Sequence, residues 1–476
     1  MRREDGAGGV PVTTALEAVR AALAGEPAWL VGGAVRDRLL DRATDDVDVA
    51  VAGDPRSAAR RLAKATGGAA FQLSHEFGGW RTVGPGHAWH VDLLPLRDGD
   101  LQADLAARDF TVNAMAEPLA GGALVDPHGG AADLDARRLR MVSGRAMTDD
   151  PLRTLRAVRF AVELGFGIEP ATAAAVREHA AAIGNVSPER VFAELKRVIA
   201  APRVREGLTL MEETGLLAAV LPELEALRGV DQSVYHHADV LGHTLEVLDA
   251  VVAMEAAPAD VGLGGDLAGP VADLLAEPLA NELTRGTAMR FAALLHDAAK
   301  PQTRDVLPGG RVTFVGHDRE GAQLARGVLR RLRASEKLTG YVAALTAHHL
   351  DLGFLVHERP LSRREVWRYL AATAPHAADV TLLTVADRLA TRGRKSDPAI
   401  AAHLELARDV LRHAFAQRAA GPQPPLVPGD ELAAELGIRQ GPRLGELLRA
   451  LEEDRYAGDV STREEALARA RALLDT

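Results

Sequence analysis

The stretch Trp29-Leu-Val-Gly-Gly-Ala-Val-Arg-Asp37, followed by Thr44-Asp-Asp-Val-Asp-Val-Ala-Val51, decides the fold of the first part of the chain. Leu30 and Val31 form a short apolar run ending in a glycine pair, the pattern of a strand entering a turn. Gly32 and Gly33 permit backbone conformations and close approaches that a side chain would block. Val35 to Leu40 has helical spacing, and a glycine turn feeding a helix N-terminus presents free N–H groups that suit a phosphate. In the second strand Asp46 and Asp48 alternate with Val47, Val49 and Val51, so both carboxylates lie on one face and the valines on the other. Two carboxylates beside such a turn suit Mg²⁺, a hard cation usually held by one or two carboxylates plus substrate phosphates. An ordinary turn with a solvated acidic edge would explain a lone Asp-x-Asp; the close spacing of the two halves favours a site.

The 476 residues predict several domains, and an apolar content of 47% is ample for real cores. A formal net charge of −10 argues against nucleic-acid binding by overall charge, while leaving room for a local basic face. There is no cysteine, so disulfides and thiolate metal sites are excluded and any metal must use His, Asp or Glu. No apolar run of membrane-spanning length and no signal-peptide pattern is present; residues 1–12 read as a flexible leader, and the expected compartment is the cytoplasm, with no membrane partner.

Outward from the opening stretch, Pro55 to Lys64 reads as a helix covering a sheet, and short apolar runs at 69–73, 81–83 and 87–95 read as strands between glycine turns. Asp92 lies in the last of these, where an isolated Asp is commonly a strand-end polar residue. In Arg108-Asp-Phe-Thr-Val-Asn-Ala, Arg108 can fork onto phosphate oxygens and Asn113 can bond a sugar hydroxyl; Asp109 also reads as a helix cap. Asp149-Asp-Pro-Leu-Arg153 opens a helix with acids at its positive end. Arg153, Arg156 and Arg159 recur every three residues and share one face; solvated arginines are the alternative to ligands there. Ser187-Pro-Glu-Arg predicts a further helix start with Ser187 as cap.

Gly32-Gly-Ala-Val-Arg-Asp37 with Asp46-Val-Asp48 resembles the nucleotidyltransferase signature of the class II CCA-adding enzyme and bacterial poly(A) polymerase family, and the Arg108–Ala114 and Asp149–Arg153 segments extend the resemblance. The resemblance implies an α+β head with a small mixed sheet, followed by an all-α neck and further helical parts. It implies that Asp46, Asp48 and Asp92 form the catalytic triad, with Mg²⁺ at Asp46 and Asp48, and that Gly32, Gly33, Arg36, Arg108, Asp109 and Asn113 bind the nucleotide. It implies that Asp150 and Arg153 present a protein template to the incoming base, with Arg156 and Arg159 as further base and phosphate ligands. Two departures stand out: Ala107 replaces the first arginine of the family's Arg-Arg-Asp, and Asp149 replaces a glutamate. The connection Leu93–Ala107 is also short, like that of members that add only CC.

From about Gly207 the pattern is nearly all helical. His243, His296-Asp297 and Asp387 each end an apolar helical stripe, and a lone histidine so placed is usually a satisfied core residue. Their order resembles the HD phosphohydrolase superfamily, which implies a divalent transition metal or Mg²⁺ at His243, His296, Asp297 and Asp387, with Lys300 near a phosphate. A one-metal site is expected, with His317 and His348 as candidate extras used by two-metal relatives. The stretch from about Ala256 to Glu282, rich in Ala, Gly, Leu and Pro, reads as a loop-like insertion, and the His236-His237 pair as a capping or surface feature.

The expected organisation is a head at 1–142, a neck at 143–206, a helical connection at 207–235, an HD domain at 236–415 and a helical tail at 416–476. The expected function is addition of C, with A left open by the short connection, to tRNA 3′ ends from CTP and ATP without a nucleic-acid template, plus an HD phosphohydrolase activity. CC addition alone, poly(A) synthesis, and hydrolysis with an RNA-binding head are the alternatives; either a monomer or a homodimer fits.

Overall fold

The computed structural model describes residues 12–42, 46–73, 78–232, 238–392 and 396–474; of residues 12–14 and Asp46 only the backbone is described. The leader, Thr44, Asp45, the Asp46 side chain and the His236-His237 pair therefore lie outside the described residues. The chain divides into two compact units, Met1–Val220 and Leu221–Thr476.

The first unit carries a six-stranded sheet of β1 (Ala28–Val31), β2 (Asp46–Val51), β3 (Ala69–Gln72), β4 (Trp80–Val83), β5 (His90–Pro95) and β6 (Ala116–Pro118) in the order β3-β4-β5-β2-β1-β6. Only β2 and β5 pair in parallel, with Asp46 opposite His90 and Asp48 opposite Asp92; the other ladders are antiparallel. Opposed residues of a ladder share a face, so Asp46, Asp48 and Asp92 stand on one side of the sheet. Val47, Val49 and Val51 occupy the other side and are buried, with Val91, Leu93, Ala58 and Leu62. The helix Pro55–Thr66 that covers this side starts where Asp54 accepts hydrogen bonds from the Arg56 and Ser57 amides, and ends at Gly67 in the left-handed region, φ 71°.

The carboxylate face is divided. Ala50, two residues beyond Asp48, packs with Val31, Leu96, Leu105 and Ala116. Leu96 and Leu105 come from the short connection after β5, which folds as a turn at Arg97–Gly99 and a helix at Leu101–Ala106 capped by Asp100. The connection is thus committed to the core at one end of the face, and the Asp48 end opens into a cleft.

A second buried anchor fixes the segment after Arg108. Asp133, fully buried, accepts from the Thr111 hydroxyl at 2.6 Å, Arg138 Nε at 2.7 Å and Arg140 Nε at 2.8 Å. Asp133→Ala leaves these donors unanswered and is expected to lower stability by about 2 kcal/mol, read as a shift of the urea midpoint at unchanged slope. The neck helix Leu152–Leu164 buries Leu155, Val158, Ala161 and Val162 and packs with the helix Pro188–Ala200. Ser187 stands at the N-cap position and Pro188 at the first helical position, as expected, although the Ser187 side chain makes no capping bond.

The second unit is helical. The stretch expected as a loop-like insertion is instead structured: a helix spans Gly265–Ala276 and a short hairpin joins Pro278–Ala280 to Leu283–Thr284. Leu267, Val271, Leu274 and Leu275 recur at helical spacing and are buried, and this stripe outweighs the local cost of Pro270 and the glycines. The tail forms the helices Gly429–Leu436, Pro442–Ala457 and Arg463–Leu474 around Leu432, Leu447, Leu451 and Leu467. Arg364, on the helix Arg363–Ala372, pairs with Asp454 and Asp459, and Arg368 of the same helix pairs with Glu453. No helix among the described residues is long and apolar enough to cross a membrane.

Candidate functional sites

The cleft in the first unit, about 840 Å³, is lined by Gly32, Gly33, Arg36, Asp48, Arg108, Asp109, Asn113, Asp150, Arg153, Arg156 and Arg159 among others. The structure therefore gathers in one place residues that are up to 165 positions apart, from Gly32 to Arg197. Gly32 sits at φ 68°, and a Cβ there would stand 2.7 Å from Arg108 Nη1 and 3.6 Å from Asp48 Oδ2. The glycine is required both by its backbone and by the closeness of the charged groups it separates.

Asp92, buried on β5, receives Arg81 bidentately at 2.6 and 2.7 Å. Asp48 and Asp92, opposite each other in the ladder, supply hard oxygen donors on this face, which fits a Mg²⁺ ion. Arg36 donates to Asn113 Oδ1 at 2.7 Å and to both oxygens of Asp37. Arg108 pairs with Asp104 of the short connection at 2.9 Å.

The neck arginines differ among themselves. Arg153 donates to the carbonyl oxygens of Ala107, at 2.6 Å, and of Arg108 and Ala146, both at 3.3 Å. Arg156 forks onto Asp109 Oδ2 at 2.9 and 2.7 Å and also reaches Glu194. Arg159 is buried against Glu163 and Glu194 and over the Phe160 ring. Asp150 accepts from the Leu152 amide and from Arg190. Glu194, Arg81 and Asp104 were not legible as site residues: an acid or arginine on an amphipathic element carries no motif.

Burial works to raise the Asp109 carboxyl, but Arg156, the Asn113 amide and the Phe110 N–H outweigh it and hold it at about 2, below its ordinary 3.8. A depressed folded-state value means stability that is full above the ordinary value and is lost as pH falls from about 4 through about 2. Asp109→Asn is expected to remove that part of the acid dependence, about 2 kcal/mol, in unfolding curves between pH 5 and pH 2.

In the second unit His243, His296 and Asp297 form one group with ligand atoms within 4.8 Å of one another, and Asp297, His317 and His349 form another. Asp297 is common to both: Oδ2 lies 3.2 Å from His296 Nε2 and 3.8 Å from His243 Nε2, and Oδ1 lies 3.3 Å from His317 Nε2 and 3.9 Å from His349 Nε2. Asp387 Oδ1 is 3.0 Å from His243 Nε2. The expected quartet is brought together, and His317 with it. His348 is a correction: its Nδ1 contacts Asp351 at 2.8 Å, and the neighbouring His349 takes the place in the cluster. The signal lay in the stripe Leu338, Val342, Leu345, His349, whose spacing puts position 349 on the buried face. Among the described residues two candidate groups share the Asp297 carboxylate.

The donors fit divalent metal. His296, His317 and His349 each place Nδ1 at 2.6–2.8 Å from the carbonyl three residues earlier, those of Ala293, Phe314 and Thr346. Donation there leaves each Nε2 lone pair for a ligand. His296 Nε2 and Asp297 Oδ2 are buried with no hydrogen bond of good geometry. Burial works against the Asp297 charge, yet His296 and Lys300 hold its carboxyl well below the ordinary range. Lys300 Nζ stands 2.7 Å from Asp297 Oδ2 and donates to Gln232 at 2.7 Å.

The poly A polymerase head domain model matches residues 28–92 and 96–140, a probable RNA- and SrmB-binding site of polymerase A matches 165–227, and the HD domain model matches 240–392. The chain is 40% identical to the A-adding tRNA nucleotidyltransferase of Deinococcus radiodurans over 93% of its length and 94% of that protein's. It is 36% identical to the CC-adding tRNA nucleotidyltransferase of Thermus thermophilus, covering 93% of this chain and 92% of that one. The fold is shared with the Thermotoga maritima CCA-adding enzyme complexed with tRNA, at a TM-score of 0.61, 20% identity and 98% coverage of both chains. With relatives this similar along nearly the whole length, the chain belongs to the class II tRNA nucleotidyltransferases of the CCA-adding enzyme and poly(A) polymerase family, and it carries an HD domain.

Proposed function

We propose that this chain adds cytidines to tRNA 3′ ends from CTP, as a CC-adding enzyme, with the chemistry in the cleft of the first unit. The observation that carries the CC reading is the connection after Asp92: Leu96 and Leu105 tie it into the core, and Asp104 holds Arg108. A segment packed in this way has little freedom to re-form the base pocket between C and A. In the reaction the terminal 3′-oxygen bonds to the α-phosphorus, the bond to pyrophosphate breaks, and the hydroxyl proton passes to the Asp92 carboxylate. Asp46, Asp48 and Asp92 would hold Mg²⁺, which when bound neutralises charge on the α-phosphate and the leaving pyrophosphate. Arg36 and Arg108 hold phosphate oxygens, Asn113 bonds the ribose, and Asp150 with Arg153 presents acceptor and donor edges to the base. Arg156 and Arg159, paired with Asp109, Glu194 and Glu163, act on the nucleotide by holding the template helix against the Arg108 segment.

Addition of A is the second reading, favoured by the 40% identity to an A-adding relative. Purified protein with Mg²⁺ on tRNAs ending at the discriminator base, at C and at CC, given CTP, ATP or both, separates the readings at single-nucleotide resolution. Extension that stops at CC is expected. Growth of the CC-ending tRNA alone, with ATP, makes it an A-adding enzyme, and growth to CCA on all three overturns the CC restriction.

The HD site is proposed to be a phosphohydrolase acting on phosphorylated or cyclic-phosphate RNA ends. His243, His296, Asp297, Asp387, His317 and His349 would hold one or two divalent ions, transition metal or Mg²⁺, which when bound lower the pKa of water for attack on phosphorus. In the hydrolysis water gives hydroxyl to phosphorus and a proton to the departing sugar oxygen. Lys300, buried beside Asp297, is placed to hold a phosphate oxygen.

A further inference from the structure

The face that carries the carboxylates does not end at Asp92. Strand register extends its row across the sheet: Asp48 stands opposite Asp92, Asp92 opposite Arg81, and Arg81 opposite Phe71 on the edge strand β3. Opposed residues share a face, so Phe71 lies on the same side of the sheet as the carboxylates. The helix Pro55–Thr66 packs on the other side, where Thr82 donates to the Ala59 carbonyl oxygen and Arg56 lies over the Trp80 ring. Exposure rises outward along the row: Asp92 is 7% exposed and Phe71 48%. Leu73, two residues beyond Phe71 and so on the same face, is 43% exposed. The ladder continues to it, because its amide donates to the Gly79 carbonyl oxygen at 2.9 Å. A Cβ on Gly79 would stand 2.9 Å from Leu94 Cδ2, so the Leu94 side chain reaches over this glycine. Leu94 itself lines the cleft. The apolar wall of the cleft at Leu94 thus adjoins Gly79, and Gly79 adjoins the exposed pair Leu73 and Phe71.

The direction of the reaction says what crosses this surface. In phosphoryl transfer the attacking and leaving oxygens lie roughly in line, on opposite sides of phosphorus. The glycine turn that suits the triphosphate follows β1, on one side of β2. Asp92, which takes the hydroxyl proton, is on β5, on the other side of β2. The leaving pyrophosphate then lies toward β1 and the attacking RNA end toward β5, and the strand behind the 3′-oxygen runs out over β4 and β3. Neighbouring strands are about 5 Å apart, which puts the backbone of Phe71 about 10 Å from that of Asp92, a gap that one nucleotide and the apolar side chains span together. Flat bases gain from stacking on such side chains whatever their hydrogen-bonding pattern. We propose that Phe71 and Leu73 form a platform that seats the unpaired base of the acceptor end while its 3′-oxygen stands at Asp92, without reading which base it is. This rests on the cytidine-adding reading given above and adds the element that positions the RNA for it.

The test measures CTP addition by the intact chain, with Mg²⁺, to a tRNA ending at the discriminator nucleotide and to the same tRNA with that nucleotide abasic. Wild-type protein is expected to favour the base-bearing tRNA in kcat/KM. Combining Phe71→Ser with Leu73→Ser, both at the surface, is expected to lower that preference about fivefold through KM for tRNA, with kcat and KM for CTP within about twofold of wild type. Phe71→Tyr in place of Phe71→Ser restores most of it, because the ring is what the platform supplies. An unchanged preference in the double variant, or equal losses on both tRNAs, overturns the platform. So does a double variant that keeps its KM for tRNA but loses a dimer seen by sedimentation in the wild type, which makes the patch an interface between copies of the chain. Wild-type addition to both tRNAs equally well overturns the platform and leaves the cytidine-adding reading standing. Addition to neither by wild-type protein that circular dichroism shows to be folded overturns the cytidine-adding reading and the platform together.

Discussion

Asp48→Ala is expected to reduce nucleotide addition to tRNA by about 10³-fold or more, while the protein keeps its fold and its HD-site hydrolysis. Asp48 stands beside Asp92 across the parallel β2–β5 ladder, at the open end of the carboxylate face. Its neighbours Val47 and Val49 supply the buried packing of the strand, so truncating Asp48 removes charge from the cleft and little from the core. The measurement is single-turnover extension of a tRNA ending at the discriminator base, with thermal unfolding as control. A loss below about tenfold would mean that the carboxylate face does not carry the chemistry. Arg81 offers a subtler variant: Arg81→Gln frees Asp92 from its bidentate partner and is expected to change the Mg²⁺ concentration for half-maximal rate more than the rate at saturating Mg²⁺.

Asp297→Asn is expected to have a comparable effect on the second site: divalent-metal affinity and hydrolysis both fall by about 100-fold or more, and tRNA extension stays within about twofold of wild type. Asp297 faces four imidazoles and Lys300. The amide is nearly isosteric but removes the charge around which those cations and lone pairs gather. Equilibrium titration with Mn²⁺ reads the first effect independently of turnover. The same titration on His349→Gln and on His348→Gln separates the two neighbours: the first is expected to weaken binding, and the second to leave it unchanged because His348 contacts Asp351 instead. Retention of wild-type metal affinity by Asp297→Asn would remove the basis for a shared carboxylate.

What could be seen in the sequence was decided by locality. The glycine turn and the alternating Asp46–Val51 strand declare themselves within a few residues, and β1, β2 and the intervening helix Gly33–Leu39 form as that pattern requires. The HD quartet was legible because His243, the His296-Asp297 pair and Asp387 each end an apolar stripe. Partnerships across the fold were not: the pairing of Asp48 with Asp92 is a matter of strand register, and Asp109 and Glu194, which hold Arg156 and Arg159, come from other segments. A face of three arginines therefore read as a row of ligands, whereas Arg156 and Arg159 are held in ion pairs, which leaves Arg153 as the member proposed to face the base. Composition misled at 256–282, where Gly265, Gly269 and Pro270 obscured a stripe of Leu and Val that the folded unit buries. At His348 and His349 a shift of one helical position, about 100° of rotation, separates a surface residue from a cluster member.

The most direct test of the account follows both products of the head reaction at once. Wild-type protein, Mg²⁺ and α-labelled CTP are mixed with a tRNA that ends at the discriminator base, and labelled tRNA and pyrophosphate are counted together. The account predicts tRNA lengthened by two cytidines, with one pyrophosphate released for each nucleotide added. Label that appears as free CMP, or no labelled tRNA at all from a folded protein, would contradict it.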